Sequence, residues 1–360
     1  MWRRWAALDN LQYPVRLSAT LDAKWRMNRA SGIGTPNDLL GLLRVLLPLH
    51  LPVALLEGFA AYRDATMAMP VRQPKAIYSA NALHSQLTFK LLAAEWCDHG
   101  TRLLYHQHGG GYGLDRVHAL EDYEVRVSDR YFTWGWSLAD KPKVKPVSPG
   151  ALKRATARRE YVLLCCCDYP KVVYRLHFQP MPGTIQVTHR ETCEFLDALP
   201  ERSKLLVRPY THDFGWDFVD MMRRAAPDAT FDSLGVGVFK RFAQSRLVVH
   251  NYLGTGYLET LALNIPTICF YDADIYAFRE EAQSLMDGLE SVGILHRSGK
   301  AAARFVAGLR DDPEGWWVKP EVQDARNRFV EQYANFSPDW KTQWETEFRR
   351  AIDQESGIAG

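Results

Sequence analysis

The sequence predicts an α/β protein of two domains built on parallel sheets, and three observations predict it. Short β-branched apolar runs recur along the 360 residues, each followed by a loop and then by apolar residues at helical spacing, which is the pattern of strands joined by crossover helices. Two of those loops are rich in glycine, one at 109–113 and one at 254–256. The length suffices for two cores, and 47% hydrophobic with 24% charged residues is ordinary globular composition.

In the first half, Lys75–Tyr78 reads as a strand, with Asn81 capping a helix that runs to Cys97 and stops at Gly100. Leu87, Leu91, Leu92 and Trp96 would face its core. Leu103–Tyr105 makes the next strand and empties into His106-Gln107-His108-Gly109-Gly110-Gly111-Tyr112-Gly113, before a helical stretch over 116–126. Four glycines in five positions let a backbone approach a ligand closely, and the carboxyl end of a strand is where open α/β sheets bind. The alternative is a tight turn with His108 satisfied in the core. Tyr131–Trp136 reads as an aromatic strand, and Lys141–Gly150, with its prolines and lysines, as an interdomain linker. The boundaries predicted are 1–145, 146–333, and a closing helical segment 334–360 that crosses back to the first domain.

In the second half, strands at 161–164 and 205–207 alternate with helices at 186–199, 216–224 and 238–243. The centre of the reading is Leu247–Phe270, LVVHNYLGTGYLETLALNIPTICF, which runs strand, glycine turn, short helix, strand. Such a turn leaves first-turn amides unpaired at the positive end of a helix, a setting for phosphate, although many such turns bind nothing. Arg208, Tyr210, His250, Asn251 and the 254–256 turn all fall at strand ends and are grouped for that reason. Glu259 either bonds back to a cap at Gly256 or holds a ribose hydroxyl. Asp272 and Asp274 read as caps of a helix starting near Ala277 in preference to metal ligands, and Arg279 as an anion contact or a surface bystander. Aromatic and charged closing helices are predicted over 316–350.

A net charge of +2 gives no general case for nucleic acid. The six cysteines lack metal spacing and read as buried thiols, and the N-terminus shows no secretory signal, so a cytoplasmic protein is expected. Leu39–Leu56 is apolar but broken by Arg44, Pro48, His50 and Pro52, which predicts buried helices with a proline break in place of a spanning helix. Trp2, Arg3, Arg4 and Trp5 form either a peripheral membrane contact or a solvated helix start.

QHGGGYG, VRPY, and HNYLGTGYLETLALNIPTICF followed by FREEA and GIL together resemble a bacterial family of surface-carbohydrate transferases found in O-antigen and related clusters, over roughly residues 70–310. The resemblance implies a GT-B glycosyltransferase, with two Rossmann-like domains whose parallel sheets face across a cleft. It implies a nucleotide-sugar donor held by the second domain and a glycan or lipid-linked acceptor reached from the first. The second-half motifs are also similar to transferases of CMP-activated Kdo and nonulosonic acids. Arg208-Pro209 stands where those carry His-Pro, and the N-terminal part is shorter than in many relatives.

On that resemblance, the amides of Gly254, Thr255, Gly256 and Tyr257, with Arg208 and His250, would take the leaving phosphate without a metal or other cofactor, and Glu259 the ribose. His108 would be the base for the acceptor hydroxyl, with Asp115 second, and Gly109, Gly110, Gly111, Tyr112, Tyr210, Asn251 and Arg279 would line the substrates. An epimerase or polyol-phosphate transferase of the same fold, or a non-catalytic nucleotide or glycan binder, are the alternative readings.

Overall fold

The computed structural model describes residues 19–353 except 154–156, 158, 173–179, 203 and 310–311, so Trp2, Arg3, Arg4 and Trp5 lie outside the described residues. The chain divides into two compact units, Met1–Ile77 with Asn81–Thr101, and Tyr78–Ala80 with Arg102–Gly360.

The first unit is helical. Asp22 caps α1 (Ala23–Ser31) by accepting from the Trp25 amide at 2.9 Å, and Asp38 caps α2 (Leu39–His50) by accepting from the Gly41 amide at 2.6 Å. A 3-10 turn at Val53–Leu55 leads to α3 (Phe59–Met67) and then to β1 (Ala76–Ser79), whose end belongs to the second unit. The helix expected from Asn81 to Cys97 is two, α4 (Ala82–Ser85) and α5 (Leu87–Asp98), parted at Gln86 by an extended backbone. The expectation of buried helices over 39–56 is overturned: no residue of α2 or of the 3-10 turn is buried. The less exposed residues of α2 are Gly41, Val45, Pro48 and Leu49, on one side of the helix, so seating it against one neighbour, α1, leaves most of its leucines outside.

The second unit carries two sheets. The four-stranded one has the order β1-β2-β3-β4, with β2 (Arg102–His106), β3 (Arg130–Thr133) and β4 (Val144–Pro146) parallel. Between β2 and β3 lies α6 (Ala119–Val127). The segment expected to be a linker therefore contributes a strand. Val144 and Val147 are buried, and Pro146 is tolerated because β4 is an edge strand, where a missing N–H breaks no ladder.

The six-stranded sheet, β10-β9-β8-β5-β6-β7, is parallel throughout. Its strands are β5 (Tyr161–Cys165), β6 (Leu205–Arg208), β7 (Thr230–Phe231), β8 (Ser245–His250), β9 (Thr267–Phe270) and β10 (Leu295–His296). The crossovers are α7 (Ile185–Ala198), α8 (Phe218–Ala225), α9 (Val238–Gln244), α10 (Thr255–Ala262) and α11 (Glu280–Ser291). The chain runs outward from β5 through β6 to β7, then returns to β8 on the other side of β5 and runs outward again. That reversal places a topological switch point between the carboxyl ends of β5 and β8, where sheets of this kind hold ligands. Leu163, Leu164, Val207, Val248, Val249 and Ile268 fill its centre with no measurable exposure.

Asn251, at the end of β8, ties that switch point together. Its Oδ1 accepts from the Cys167 amide at 2.7 Å and its Nδ2 donates to Thr192 Oγ1 on α7 at 3.0 Å. Helices α12 (Gly299–Leu309), α13 (Pro313–Trp317) and α14 (Pro320–Tyr333) follow, and Arg326 of α14 donates to the Leu261 carbonyl at 2.7 Å, satisfying the end of α10. The last helix, α15 (Trp340–Asp353), packs Trp344 against Phe132 of β3 at 4.9 Å and donates from its indole to the Ser148 carbonyl. The helix expected near Ala277, α11, starts three residues later, at Glu280. Asp272 does not cap it but closes a turn by accepting from the Asp274 amide at 2.8 Å.

Replacing Asn251 by alanine leaves the Cys167 amide unpaired in the core. Urea denaturation is expected to register a loss of about 1–3 kcal/mol.

Candidate functional site

The loop after β2 and the turn after β8 meet directly. The Gly110 amide donates to Thr255 Oγ1 at 3.2 Å. A Cβ on Gly110 would lie 2.6 Å from the Gly254 carbonyl carbon, and one on Gly109 2.9 Å from Thr255 Oγ1, so the contact is close enough to require glycine. Gln107, 1% exposed, shapes the approach: its Oε1 accepts from the Trp134 amide and the Trp136 indole at 3.0 and 2.9 Å, and its Nε2 donates to the Gly109 carbonyl at 2.8 Å. Gly111 (φ +84°) and Gly113 (φ +72°) take the left-handed region, and the Trp136 ring sits where a Gly113 side chain would be.

His108 heads a hydrogen-bonded chain into the interior. The Tyr112 hydroxyl donates to Glu124 Oε1 at 3.1 Å, so it accepts from His108 Nδ1 at 2.8 Å, and Tyr131 donates to Glu124 Oε2 at 2.8 Å. In a neutral imidazole this sequence of donors places the proton on Nδ1. Glu124 is fully buried, and burial, with its carboxylate next in effect, pushes both phenols well above their ordinary range. His118 caps α6 by accepting from the Glu121 amide at 3.1 Å and lays its ring 4.2 Å from that of Tyr112.

A second lock joins the loop after β2 to the loop after β9. The Arg116 amide donates to the Ala277 carbonyl at 2.8 Å and the Arg279 amide to the Leu114 carbonyl at 2.9 Å. Arg279 donates from Nη2 to Glu121 Oε1 at 2.5 Å and from Nε to the Asp115 carbonyl at 3.0 Å. Its cation is thus committed to Glu121, whose other oxygen accepts from the Gly113 amide at 2.6 Å. Asp115 is 7% exposed. Burial, reinforced by the Glu121 charge and opposed by Arg279, pushes its carboxyl up to about 8, which makes it a proton donor at neutral pH.

On the other side, α10 starts at Thr255 with Gly254 as an N-cap that supplies no side-chain bond, and Thr255 and Gly256 are half-buried. Tyr252 packs its ring against Gly254, where a Cβ would lie 2.0 Å away. Because the cap is Gly254, Glu259 falls in the second turn and does not form the capping box considered from the sequence. Its carboxylate makes no hydrogen bond among the described residues, and burial raises its pKa to about 7. His250 is buried and held neutral by burial, its pKa lowered to about 3, with Nε2 3.1 Å from Thr260 Oγ1. It supports Gly256 from below, and Tyr257 is fully buried, so only its amide belongs to the turn.

The structure thus brings His108, Gly109, Gly110, Gly111, Tyr112, Asp115 and Arg279 together with Gly254 and Thr255, with His250, Asn251 and Tyr257 behind the turn. Arg208 points elsewhere, toward Asp232 and the Val236 carbonyl. Burial alone would raise the Asp232 carboxyl, but bonds from Arg241 and Arg208 bring it below its ordinary value. Tyr210 is 41% exposed and stacks on Phe214 at 5.8 Å. Gln107, Glu121, Glu124, Trp136 and Tyr252 were not singled out from the sequence. The spacing of Glu121 and Glu124, three apart on the helix behind a His-Gly loop, was the available signal for two of them.

Two Rossmann-like parallel sheets with converging strand ends define the GT-B fold. The chain belongs to the LIC12162 family of transferases, whose model matches residues 9–348. Among solved structures it is similar to TarM, with a TM-score of 0.50 and 10% identity over 82% of this chain, which spans 59% of TarM. It is equally similar to MnaA of S. aureus bound to UDP, with a TM-score of 0.50 and 10% identity over 81% of this chain and 79% of that one. Identity this low speaks for the fold alone. No curated protein matches it in sequence.

The raised Asp115 carboxyl has a consequence for stability. A carboxyl that keeps its proton when folded up to about 8, against its ordinary 3.8, binds more protons in the folded than in the unfolded chain between those values, so its contribution to stability falls as pH rises through that window. Urea titrations across it are expected to show that decline in the native protein and a shallower one in Asp115→Asn.

Proposed function

We propose that this transferase moves a sugar from a nucleotide-activated donor to a hydroxyl of a glycan or lipid-linked acceptor. The observation that carries the reading is the Gly110–Thr255 contact, which sets a histidine-bearing loop beside the start of α10, where no side chain caps the helix. In the reaction the acceptor oxygen attacks the anomeric carbon, its proton passes to His108 Nε2, and the bond from that carbon to the phosphate oxygen breaks. Charge gathers on the departing phosphate, and the first amides of α10 are aimed at it without reorganisation. Arg208 is engaged by Asp232, so the proposal rests the phosphate on the helix and not on that guanidinium. Glu259 would take ribose hydroxyls, and no metal is assigned to the step.

The relay behind His108 gives the base its direction. Proton removal by a positioned imidazole contributes roughly 10²–10⁴-fold. His108→Ala is therefore expected to lower kcat by about that range while nucleotide binding persists, and Tyr112→Phe, which leaves the tautomer unfixed, by a smaller factor. Retained turnover in His108→Ala would remove the base from the scheme.

The donor is read most directly by thermal shift with CMP, UDP, GDP and dTDP. Saturating nucleotide at 100 times its Kd should stabilise the protein by about 2.7 kcal/mol. Selective stabilisation by CMP supports the acidic-sugar donor, Kdo or a nonulosonic acid, and a surface-glycan product such as O-antigen. Stabilisation by UDP instead replaces that donor with a UDP-sugar, and incubation without acceptor then distinguishes a transferase from an epimerase, which makes an isomer unaided. A response to none of the four contradicts the proposal.

A further inference from the structure

The first unit exposes a surface that folding in water does not account for. Helix α2 reads Leu-Leu-Gly-Leu-Leu-Arg-Val-Leu-Leu-Pro-Leu-His, and none of its residues is buried. Leu39, Leu40, Leu42, Leu43, Leu46 and Leu47 are 36–72% exposed. Of the twenty exposed large apolar side chains among the described residues, twelve fall between Leu21 and Phe59, so the exposure is concentrated in one helical segment and is not scattered over the surface.

Charge at this surface has one sign to spare. Asp22 and Asp38 are turned onto first-turn amides of α1 and α2, and Glu57 is paired with buried Arg26 at 2.5 Å. Lys24, Arg29 and Arg44 form no ion pair among the described residues. Arg29 lies over the Trp25 ring at 5.5 Å, and Trp25, Arg29, Arg44 and Leu47 line an open hollow of about 500 Å³. Leucine outermost with tryptophan and arginine beside it matches the layering of a bilayer from acyl chains to headgroups. At 1.5 Å per residue, a helix of this size measures roughly 18 Å against a hydrocarbon core of about 30 Å. No described helix is long and apolar enough to cross a membrane, so α2 would lie in the boundary layer. Anionic lipid complements Lys24, Arg29 and Arg44, which form no ion pair among the described residues.

We propose that α2, with the flank of α1, is an in-plane anchor that seats the protein on an anionic bilayer. This anchor is independent of the glycosyl-transfer reading. Full-length protein should float with vesicles of equal parts phosphatidylglycerol and phosphatidylcholine, and far less with phosphatidylcholine alone. Leu42→Glu with Leu46→Glu should weaken that binding more than about 100-fold, since each substitution forfeits a buried leucine. Arg29→Ala with Arg44→Ala should weaken it roughly fivefold per cation, an effect that high salt reproduces in the native chain. Because these side chains are exposed, the melting temperature of both variants should match the native one. Native protein that stays off anionic vesicles overturns the proposal. So does a leucine variant that keeps vesicle binding and either turns a dimer into a monomer or melts earlier, since the face is then covered by a second copy or by the chain itself.

Discussion

A single backbone contact, Gly110 against Gly254 and Thr255, sets the geometry of everything around it. Loops from two different sheets can share a site only if something holds their strand ends in register, and here the approach is too close for any side chain on Gly110. Arg279 adds a second fastening from the loop after β9, joined to the first loop by two main-chain bonds and by its guanidinium on Glu121. Two fastenings fix an angle as well as a distance. The position of His108 relative to the start of α10 therefore rests on main-chain contacts together with the side-chain bonds of Thr255, Gln107 and the Arg279–Glu121 pair.

Behind that contact lies a concentration of buried carboxyls that demands an explanation. Asp115, Glu121 and Glu124 are all nearly inaccessible, and Arg279 pairs with Glu121. Each is accommodated differently. Glu124 receives two tyrosine hydroxyls, Glu121 receives Arg279 and a main-chain amide, and Asp115 keeps its proton. A buried pair deprived of one partner costs far more than it contributed when whole, so these groups are poor choices for stability alone. Their arrangement does fix a histidine tautomer and a loop path, and both are requirements of a site.

The architecture was legible because strand and helix periods differ and glycine punctuates them. The apolar runs at Leu103–Tyr105, 161–164, 205–207 and Leu247–Val249 marked their strands within a residue or two, while the run at Tyr131–Trp136 reached three residues past β3 and the two-residue β7 was not marked. Segments whose character depends on neighbours were not legible. Val144–Pro146 looks like a linker in isolation and becomes a strand only because β3 offers it an open edge. Asp272 was assigned to a helix that starts eight residues later, since an aspartate bonds an amide two residues on as readily as a cap. In the site, glycines and histidines announced themselves by spacing, whereas Gln107 and Glu124 act through partners remote in sequence. The leucines of 39–56 carried a clear apolar signal, but whether apolar surface is buried by protein or by another medium is not written in periodicity.

The distribution of cations separates two ways of binding an anion. Arg208, Arg241 and Arg279 are each tied to a buried carboxylate, so the guanidinium groups nearest the strand ends are already neutralised. At the start of α10 the opposite holds: its carboxyl end is satisfied by Arg326, while its amino end receives no side-chain cap. A helix satisfied at its negative end and without a side-chain cap at its positive end presents a fixed partial charge that does not depend on a flexible side chain. In the proposed reaction, anion recognition at this place is governed by the shape of the turn and the direction of its amides. That is why the fit of Gly110 onto Gly254, which determines both, carries more of the site than any ionisable group around it.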